Sequence, residues 1–293
     1  MLRSRPSAHD YFLLVSLSAI LGSSFIFIRI SVTDIPPATL VAARLLLAAV
    51  IMFALLKIKM QNLPAKGAIW GYIIAAAAFG NAIPFFLISW GQVKVEAGLT
   101  AIFMAIMPLS TLVLAQIFTD DEKLNRWKVA SVFCGIAGIV ILMGPATLTN
   151  IGDDTFRQLA ILCAALCYAI NAVLTRKLVT LPKLPMICAL LISSTLMALP
   201  VSLLIDQPWQ LSPTFVPVMS IVVLAIFPTA LATWMILVII DRQGASFLSQ
   251  INFMVPLVGV LLGAVFLHER LTANAYIALG VILLAITLSR RGS

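Results

Sequence analysis

The chain has 293 residues, of which 62% are hydrophobic and only 10% are charged, and its mean hydropathy is +1.10. A soluble domain carries about 25% charged residues, so a soluble globular protein is excluded. The net charge of +8 does not indicate a nucleic-acid partner, because the basic residues cluster in alternate connections between apolar stretches, as membrane orientation requires. We therefore predict a polytopic protein of the lipid bilayer.

Apolar stretches long enough to cross a hydrocarbon core, which takes about 20 residues, recur along the whole chain. We predict an all-α membrane protein with ten transmembrane helices and short connections. The predicted spans are 10–30, 37–57, 67–90, 98–118, 126–143, 156–176, 184–205, 214–240, 245–267 and 272–289. The first span follows Arg3 and Arg5 and resembles a signal peptide, but its length and the later spans favour a retained helix.

One stretch of the sequence occurs twice. The first copy contains Ala97-Gly98, Pro108-Leu109 and Glu122-Lys123-Leu124, and the second contains Gly244-Ala245-Ser246, Pro256-Leu257 and Glu269-Arg270-Leu271. Glu269 follows Glu122 by 147 residues. We therefore predict two related halves, residues 1–147 and 148–293.

The positions of Lys and Arg predict the orientation of the chain. If the N-terminus is inside, the outer connections hold only Lys94, Arg157 and Arg270, and most other basic residues lie inside. This distribution predicts that both termini are cytoplasmic. Because each half has five spans, an odd number, the second half is predicted to be inverted relative to the first. Inverted repeats are typical of secondary transporters, whose substrate site lies between the repeats near the midplane.

The doubled motifs resemble the drug/metabolite transporter superfamily, in particular EamA-type transporters with two EamA domains. Gly22-Ser23-Ser24-Phe25 with Arg29, and Pro36-Pro37 with Arg44, also carry this resemblance, which covers essentially the whole chain. The family often has an aromatic residue just before the glycine at position 22, where this chain has Leu21. We interpret this difference as a change in pocket shape. The resemblance implies a ten-span carrier of small organic molecules in the bacterial inner (plasma) membrane. On this ground alone, export of amino acids or related compounds is the leading expectation.

Prolines fall inside the third and fourth predicted spans of both halves, and we single out four of them. They are Pro84, Pro108, Pro228 and Pro256. A proline within a helix frees a carbonyl group, which lipid tolerates where neighbouring helices or a water-filled cavity satisfy it. We interpret these prolines as broken-helix elements beside a shared cavity; the alternative is that each is a packing kink.

Polar or polarisable side chains lie at similar depths in six spans. The candidate substrate-binding residues are Ser23, Asn81, Met104, Tyr168, Asn171, Trp234, Gln250 and Asn252. A side-chain amide in hydrocarbon needs a hydrogen-bonding partner, which either a ligand or another helix can supply. Hydrogen bonding between helices therefore remains the alternative for each residue.

Arg29 and Arg44 are the charges expected within or near the membrane. Arg44 lies about 10 Å along the second span at 1.5 Å per residue, so it could reach the outer interface with its long side chain. We expect structural anchoring for both, in preference to attraction of an anionic substrate. All acidic residues and both histidines, His9 and His268, lie in connections or at span ends, so no carboxylate relay in the membrane core is expected.

We expect no catalytic residues, metal site or cofactor, and we interpret Glu269 as part of a turn cap. The cysteines are expected to pack as small apolar residues. Gly259 and Gly263 suit close helix contact within the fold or in a homo-oligomer. The sequence thus predicts a secondary transporter that works by alternating access. The alternatives are a membrane enzyme acting on a lipid-linked substrate and a non-transporting membrane scaffold.

Overall fold

The computed structural model describes residues 6–118, 126–143, 153–178 and 180–291, whose regular secondary structure is entirely helical. The α-helices are α1 Ala8–Ser31, α2 Pro37–Ile58, α3 Ile69–Ala77, α4 Ile83–Gln92, α5 Ala97–Met104, α6 Met107–Phe118, α7 Arg126–Met143, α8 Asp153–Thr175, α9 Lys183–Val201, α10 Phe215–Leu224, α11 Ala232–Gln243, α12 Ala245–Leu248, α13 Ile251–Phe266 and α14 Ala273–Arg291. The all-α prediction is confirmed. The Glu122 motif and the predicted boundary after residue 147 lie outside the described residues.

Six described helical stretches are long and apolar enough to cross a membrane. They are Ala8–Ser31, Pro37–Ile58, Ile69–Gln92, Asp154–Thr175, Lys183–Asp206 and Phe215–Gln243. Four shorter apolar helices, Ala97–Thr111, Val129–Leu142, Ile251–Phe266 and Ala273–Leu288, occupy the positions of the other four predicted spans. The chain is therefore a multi-pass membrane protein, and the total of ten spans stays a prediction.

Three of the long stretches contain a π-helical turn near a proline: the turn Ser202–Asp206 follows Pro200 at the end of one stretch, and the other two turns lie in the third spans of the predicted halves. The turn Ala78–Ala82 joins α3 to α4 just before Pro84, and the turn Ala225–Leu231 contains Pro228 and joins α10 to α11. Because proline has no N–H group to donate, a widened turn accommodates it without ending the helix. Both third spans of the predicted halves are thus irregular near their middle.

The fourth span of the first half is interrupted beside its proline. Residues 105 and 106 separate α5 from α6, and Pro108 is the second residue of α6, where its missing N–H costs no helical hydrogen bond. The corresponding interruption in the second half lies at residues 249 and 250, and α13 continues through Pro256. The prediction that Pro256 breaks its helix is wrong: Pro256 stands in the second turn of α13, so the hydrogen bond it removes falls near an end that is already irregular.

The helices of the two predicted halves pack against each other in a reciprocal pattern. Helix α1 contacts α10, α11 and α13, while α8, the first helix of the second half, contacts α3, α4, α5 and α6. Helix α2 packs on α9, α5 on α13, and α7 on α14. These contacts between the halves therefore recur with the roles of the halves exchanged, as a two-fold relation between them predicts.

Paired helices across this interface run antiparallel. Asp10 at the start of α1 binds Arg242 at the end of α11, and Ser31 at the end of α1 donates to the carbonyl oxygen of Pro217 in α10. Thr39 at the start of α2 likewise contacts Asp206, which follows α9, through its backbone N–H at 2.7 Å. The contacts at both ends hold the halves in one register.

Candidate functional site

One end of the bundle, here called the Asp10 face, is closed by a buried carboxylate. Asp10 accepts hydrogen bonds from Ser7 within a capping box that begins α1. The same carboxylate binds Arg242 Nε at 2.6 Å and Gln243 Nε2 at 2.8 Å. One side chain therefore caps α1 and joins it to α11 of the other half.

The opposite end, here called the Glu269 face, has a related connection. The Glu269 carboxylate accepts hydrogen bonds from the backbone N–H groups of Ala97 at 2.7 Å and Gly98 at 2.8 Å. These groups begin α5, so the carboxylate caps a helix that lies far from it in the sequence. Glu269 is therefore a cap, as expected, but it caps α5 and not a turn of its own connection. It connects the end of α13 to the start of α5.

The Glu269 face also has an open cavity of about 530 Å³. It is lined by Arg29, Ile30, Val32, Thr33, Val93, Glu96, Leu267, His268, Glu269 and Arg270. Partial burial, with a second contribution from the nearby charge of Glu269, raises the pKa of Glu96 above its ordinary value of 4.5. Arg29 Nη1 donates to the backbone carbonyl oxygens of Gln92 and Val93, which links α1 to the end of α4.

Arg44 points into the protein and not towards the outer interface. Its residue is 4% exposed, and its Nε donates to Thr229 Oγ1 at 2.7 Å. The guanidinium carbon lies 3.9 Å from the centroid of the Phe85 ring. The expectation that Arg44 extends to the membrane surface is therefore wrong, because the hydroxyl in the π-helical turn and the aromatic face supply partners inside the bundle.

Tyr168 and Met104 pack on the apolar cluster that contains Phe85, the aromatic contact of Arg44. Tyr168 belongs to α8 of the second half. Met104 ends α5 and also packs on that cluster, as well as on a second cluster around Phe25. Two candidate site residues, one from each half, thus pack on the apolar cluster that contains Phe85.

Two of the candidate asparagines meet at the same helical turn, because Asn171 packs on Gly80, the residue before Asn81. Asn81 Nδ2 donates to Ser194 Oγ at 3.1 Å, which links the π-helical turn of the third span to α9. The Asn171 amide packs so closely on Gly80 that a β-carbon there would come within 2.8 Å of it. In this conformation Asn81 joins two helices, which is the alternative considered for each polar residue.

The remaining candidates are not gathered around Arg44 in the described contacts. Ser23 donates to the carbonyl oxygen of Ile20 in its own helix, and Trp234 is 40% exposed. Gln250 and Asn252 flank the start of α13 and are partly buried. The structure therefore brings together only part of the set selected from the sequence.

Sequence reasoning missed three features of the central region: the inward direction of Arg44, its partner Thr229 and the aromatic contact from Phe85. No pattern in the sequence around Arg44 distinguishes an inward from an outward direction, because membrane helices are apolar both towards lipid and towards protein.

Comparison with known proteins gives a consistent picture over nearly the whole chain. The model of the EamA-like transporter family matches residues 10–144 and 155–291. The uncharacterized transporter YoaV of Bacillus subtilis is 25% identical over 285 residues, which cover 95% of this chain and 97% of YoaV. The uncharacterized inner membrane transporter YedA of Escherichia coli K12 is 25% identical, with 95% and 90% covered.

Two further comparisons concern a named activity and a solved fold. A probable amino-acid metabolite efflux pump of Salmonella typhimurium is 24% identical over 275 residues, covering 91% of this chain and 89% of the pump. A protein crystal structure with 18% sequence identity superposes with a TM-score of 0.68, covering 95% of this chain and 97% of that one. At this identity the structural match supports the fold alone.

Proposed function

Because the chain belongs to the EamA-like transporter family through both of its halves, we propose that it exports small organic metabolites by alternating access. The protein is a multi-pass membrane transporter of the drug/metabolite type. We propose ten spans in the inner (plasma) membrane, with the second five-helix half inverted relative to the first. Amino acids or related compounds are the proposed substrate class.

The observation that carries this proposal is the reciprocal packing of the two halves. Helices α1 and α8 make equivalent contacts with the opposite half, and the paired helices run antiparallel. Two halves related in this way can exchange conformations, so that a site between them opens first to one side and then to the other. The irregular turns at the third spans lie along the same interface.

The charges at the two faces support an orientation and a gate. We propose that the Asp10 face is cytoplasmic, because Lys57, Lys59 and Arg242 lie at that end. The bond from Glu269 to the start of α5 then closes the external end of the interface between α5 and α13. Outward opening requires these two charge-assisted hydrogen bonds to break.

The substrate class and the export direction rest on two arguments. The Salmonella relative is named a probable amino-acid metabolite efflux pump. Amides, hydroxyls and a methionine at mid-depth suit small zwitterionic or amphiphilic solutes. Ser23, Asn81, Met104, Tyr168, Asn171, Trp234, Gln250 and Asn252 remain the proposed cavity residues in the complete transport cycle.

The test is efflux from liposomes that contain purified protein and a pooled set of amino acids and related metabolites. We expect selective efflux of a subset, detected by mass spectrometry, and at least a tenfold loss in Asn252→Ala. Asn274→Ala is the matched control, because Asn274 is exposed at the start of α14. Absence of efflux from a folded wild-type protein would contradict the transporter proposal and favour a scaffold.

A further inference from the structure

The buried guanidinium of Arg44 lies near the middle of the membrane-spanning bundle. At 1.5 Å per residue, Arg44 is about 5 Å along the helix from the centre of α2. Its partner Thr229 is the central residue of the long stretch Phe215–Gln243. Phe85 comes from a third span, and Tyr168 of α8 packs on the apolar cluster that contains Phe85. Spans of both halves therefore meet around this charge.

The charge has no carboxylate partner in the described part of the chain. The ion pairs there join Lys183 to Asp241 and Arg242 to Asp10. A guanidinium carries five N–H donors, and the hydrogen bond described for Arg44 uses only Nε. An intramembrane charge without a counter-ion is costly to maintain and indicates a functional site.

The fold itself does not require a charge at this position. The N-cap prolines Pro36 and Pro182 align α2 with α9, and this alignment places Leu190, a partly buried apolar residue, at the position of Arg44. Both belong to helices that pack on each other across the interface between the halves. One half therefore builds this region with an aliphatic side chain and the other with a permanent cation.

We propose that Arg44 binds the carboxylate group of the transported substrate, with the hydroxyl group of Thr229 beside it. This inference rests on the proposed transport function and specifies its substrate class as carboxylate-bearing molecules. The planar donor fork of arginine matches a carboxylate in two parallel hydrogen bonds, which a lysine ammonium cannot provide. The Phe85 ring holds the guanidinium from one face and leaves its edge for the ligand.

This site explains how substrate can influence both halves at once. Arg44 and Phe85 belong to the first half, whereas Thr229 belongs to the second. A carboxylate held by Arg44 replaces the missing counter-ion and contacts groups from both sides of the interface. In the substrate-bound protein the charge of Arg44 is then neutralised by the ligand, whereas in the substrate-free protein it has no counter-ion among the residues that the structure describes.

The experiment compares amino acids of different sizes with their own carboxamides, which lack the anionic group. Binding is measured by ligand-induced thermal stabilisation of purified wild type, Arg44→Leu, Arg44→Lys and Lys59→Gln. Arg44→Leu introduces the residue of the other half, so the protein is expected to fold with an unchanged or higher Tm. Lys59→Gln is the control, because it removes an exposed positive charge at the end of the same helix.

We expect wild type and Lys59→Gln to bind at least one acid and not its carboxamide. Arg44→Leu should bind that acid about 30-fold or more weakly, because a charged hydrogen-bonding partner is lost. Arg44→Lys should fall between the two, since it keeps the charge and loses the fork. Equal binding of acids and carboxamides, no binding of any acid by wild type, or unchanged binding in folded Arg44→Leu, would overturn the inference.

Counterflow with the same proteins separates this inference from the proposed function. Acid binding that depends on Arg44 without any flux would support the carboxylate site and contradict the transporter proposal. Flux that is equal for acids and carboxamides, and is kept in Arg44→Leu, would support the transporter and overturn the carboxylate site.

Discussion

At the scale of single residues, carboxylates at the two faces make more than one connection each. Asp10 caps its own helix and binds two side chains of α11, while Glu269 caps α5 from the end of α13. A charged acceptor on helix N–H groups is favourable because it complements the helix dipole. These residues therefore fix helix ends in the conformation observed.

The pKa of Glu96 predicts a pH dependence at the Glu269 face. Burial and the nearby Glu269 charge raise this pKa, so the folded protein binds a proton more tightly than the unfolded chain. The stability contributed by protonated Glu96 is present at low pH and is lost as the pH rises above 4.5 through the raised folded-state pKa. We predict that Glu96→Gln reduces the fall in Tm over this range.

The measurement is thermal unfolding of detergent-solubilised protein at a series of pH values. Asp34→Asn is the contrasting variant. Asp34 accepts hydrogen bonds from Thr214, which lower its pKa, so the ionised carboxylate stabilises the folded wild type at neutral pH. The Tm of Asp34→Asn should therefore fall below that of wild type by more at neutral pH than at acid pH. If wild type and Glu96→Gln give parallel Tm profiles, the assignment of a raised pKa to Glu96 is wrong.

At the scale of helices, close contact depends on glycines at a few crossings. A β-carbon on Gly259 would lie 2.5 Å from the Ala101 β-carbon, and one on Gly22 would lie 2.6 Å from Val258 Cγ1. Helices α1, α5 and α13 thus approach each other so closely that no larger side chain fits at these crossings. The G-x-x-x-G motif serves contact within the chain, and a homo-oligomer through it remains a prediction.

The tight crossing of α13 and α5 can be tested by adding one methyl group. Gly259→Ala should destabilise the protein by about 1–3 kcal/mol, the usual cost of overpacking, because the short Ala101 side chain cannot move aside. Gly280→Ala is the matched control, since its β-carbon would meet nothing within 4 Å and should be neutral or slightly stabilising. Thermal unfolding compares them; equal stability of both variants would contradict the described crossing.

At the scale of the whole molecule, the main architecture could be read from sequence because it depends on length and composition. Apolar runs predicted the helices, Pro84, Pro108 and Pro228 marked three of their irregular places, and the doubled motif predicted two EamA-like regions. The direction of Arg44 could not be read, because membrane helices are apolar both towards lipid and towards protein. The cap on α5 was equally hidden, since Glu269 and Ala97 are 172 residues apart.

The difference between the predicted and observed position of the second helix break has the same origin. Pro256 was the evident breaker in sequence, yet α13 continues through it and the interruption lies at residues 249 and 250. Proline removes a single hydrogen bond, and contacts with neighbouring helices decide where a span bends. Such contacts arise between residues far apart in the chain.

The central claim is that a site between the halves is reached from each side of the membrane in turn. Met104→Cys tests this most directly, in a background where Cys134, Cys163, Cys167 and Cys188 are replaced by alanine. Met104 ends α5 and packs on the cluster beside Arg44. A membrane-impermeant thiol reagent is added to right-side-out or inside-out vesicles, with and without the substrate identified by efflux.

We predict that Met104→Cys reacts from either side alone, that substrate slows both reactions, and that the vesicles stay impermeable to ions throughout. Each result follows if the two gates open alternately around a shared site. Failure to react from either side, in protein that still transports, would show that the path avoids Met104 and contradict this account. Reaction from both sides together with steady ion leakage would indicate an open pore.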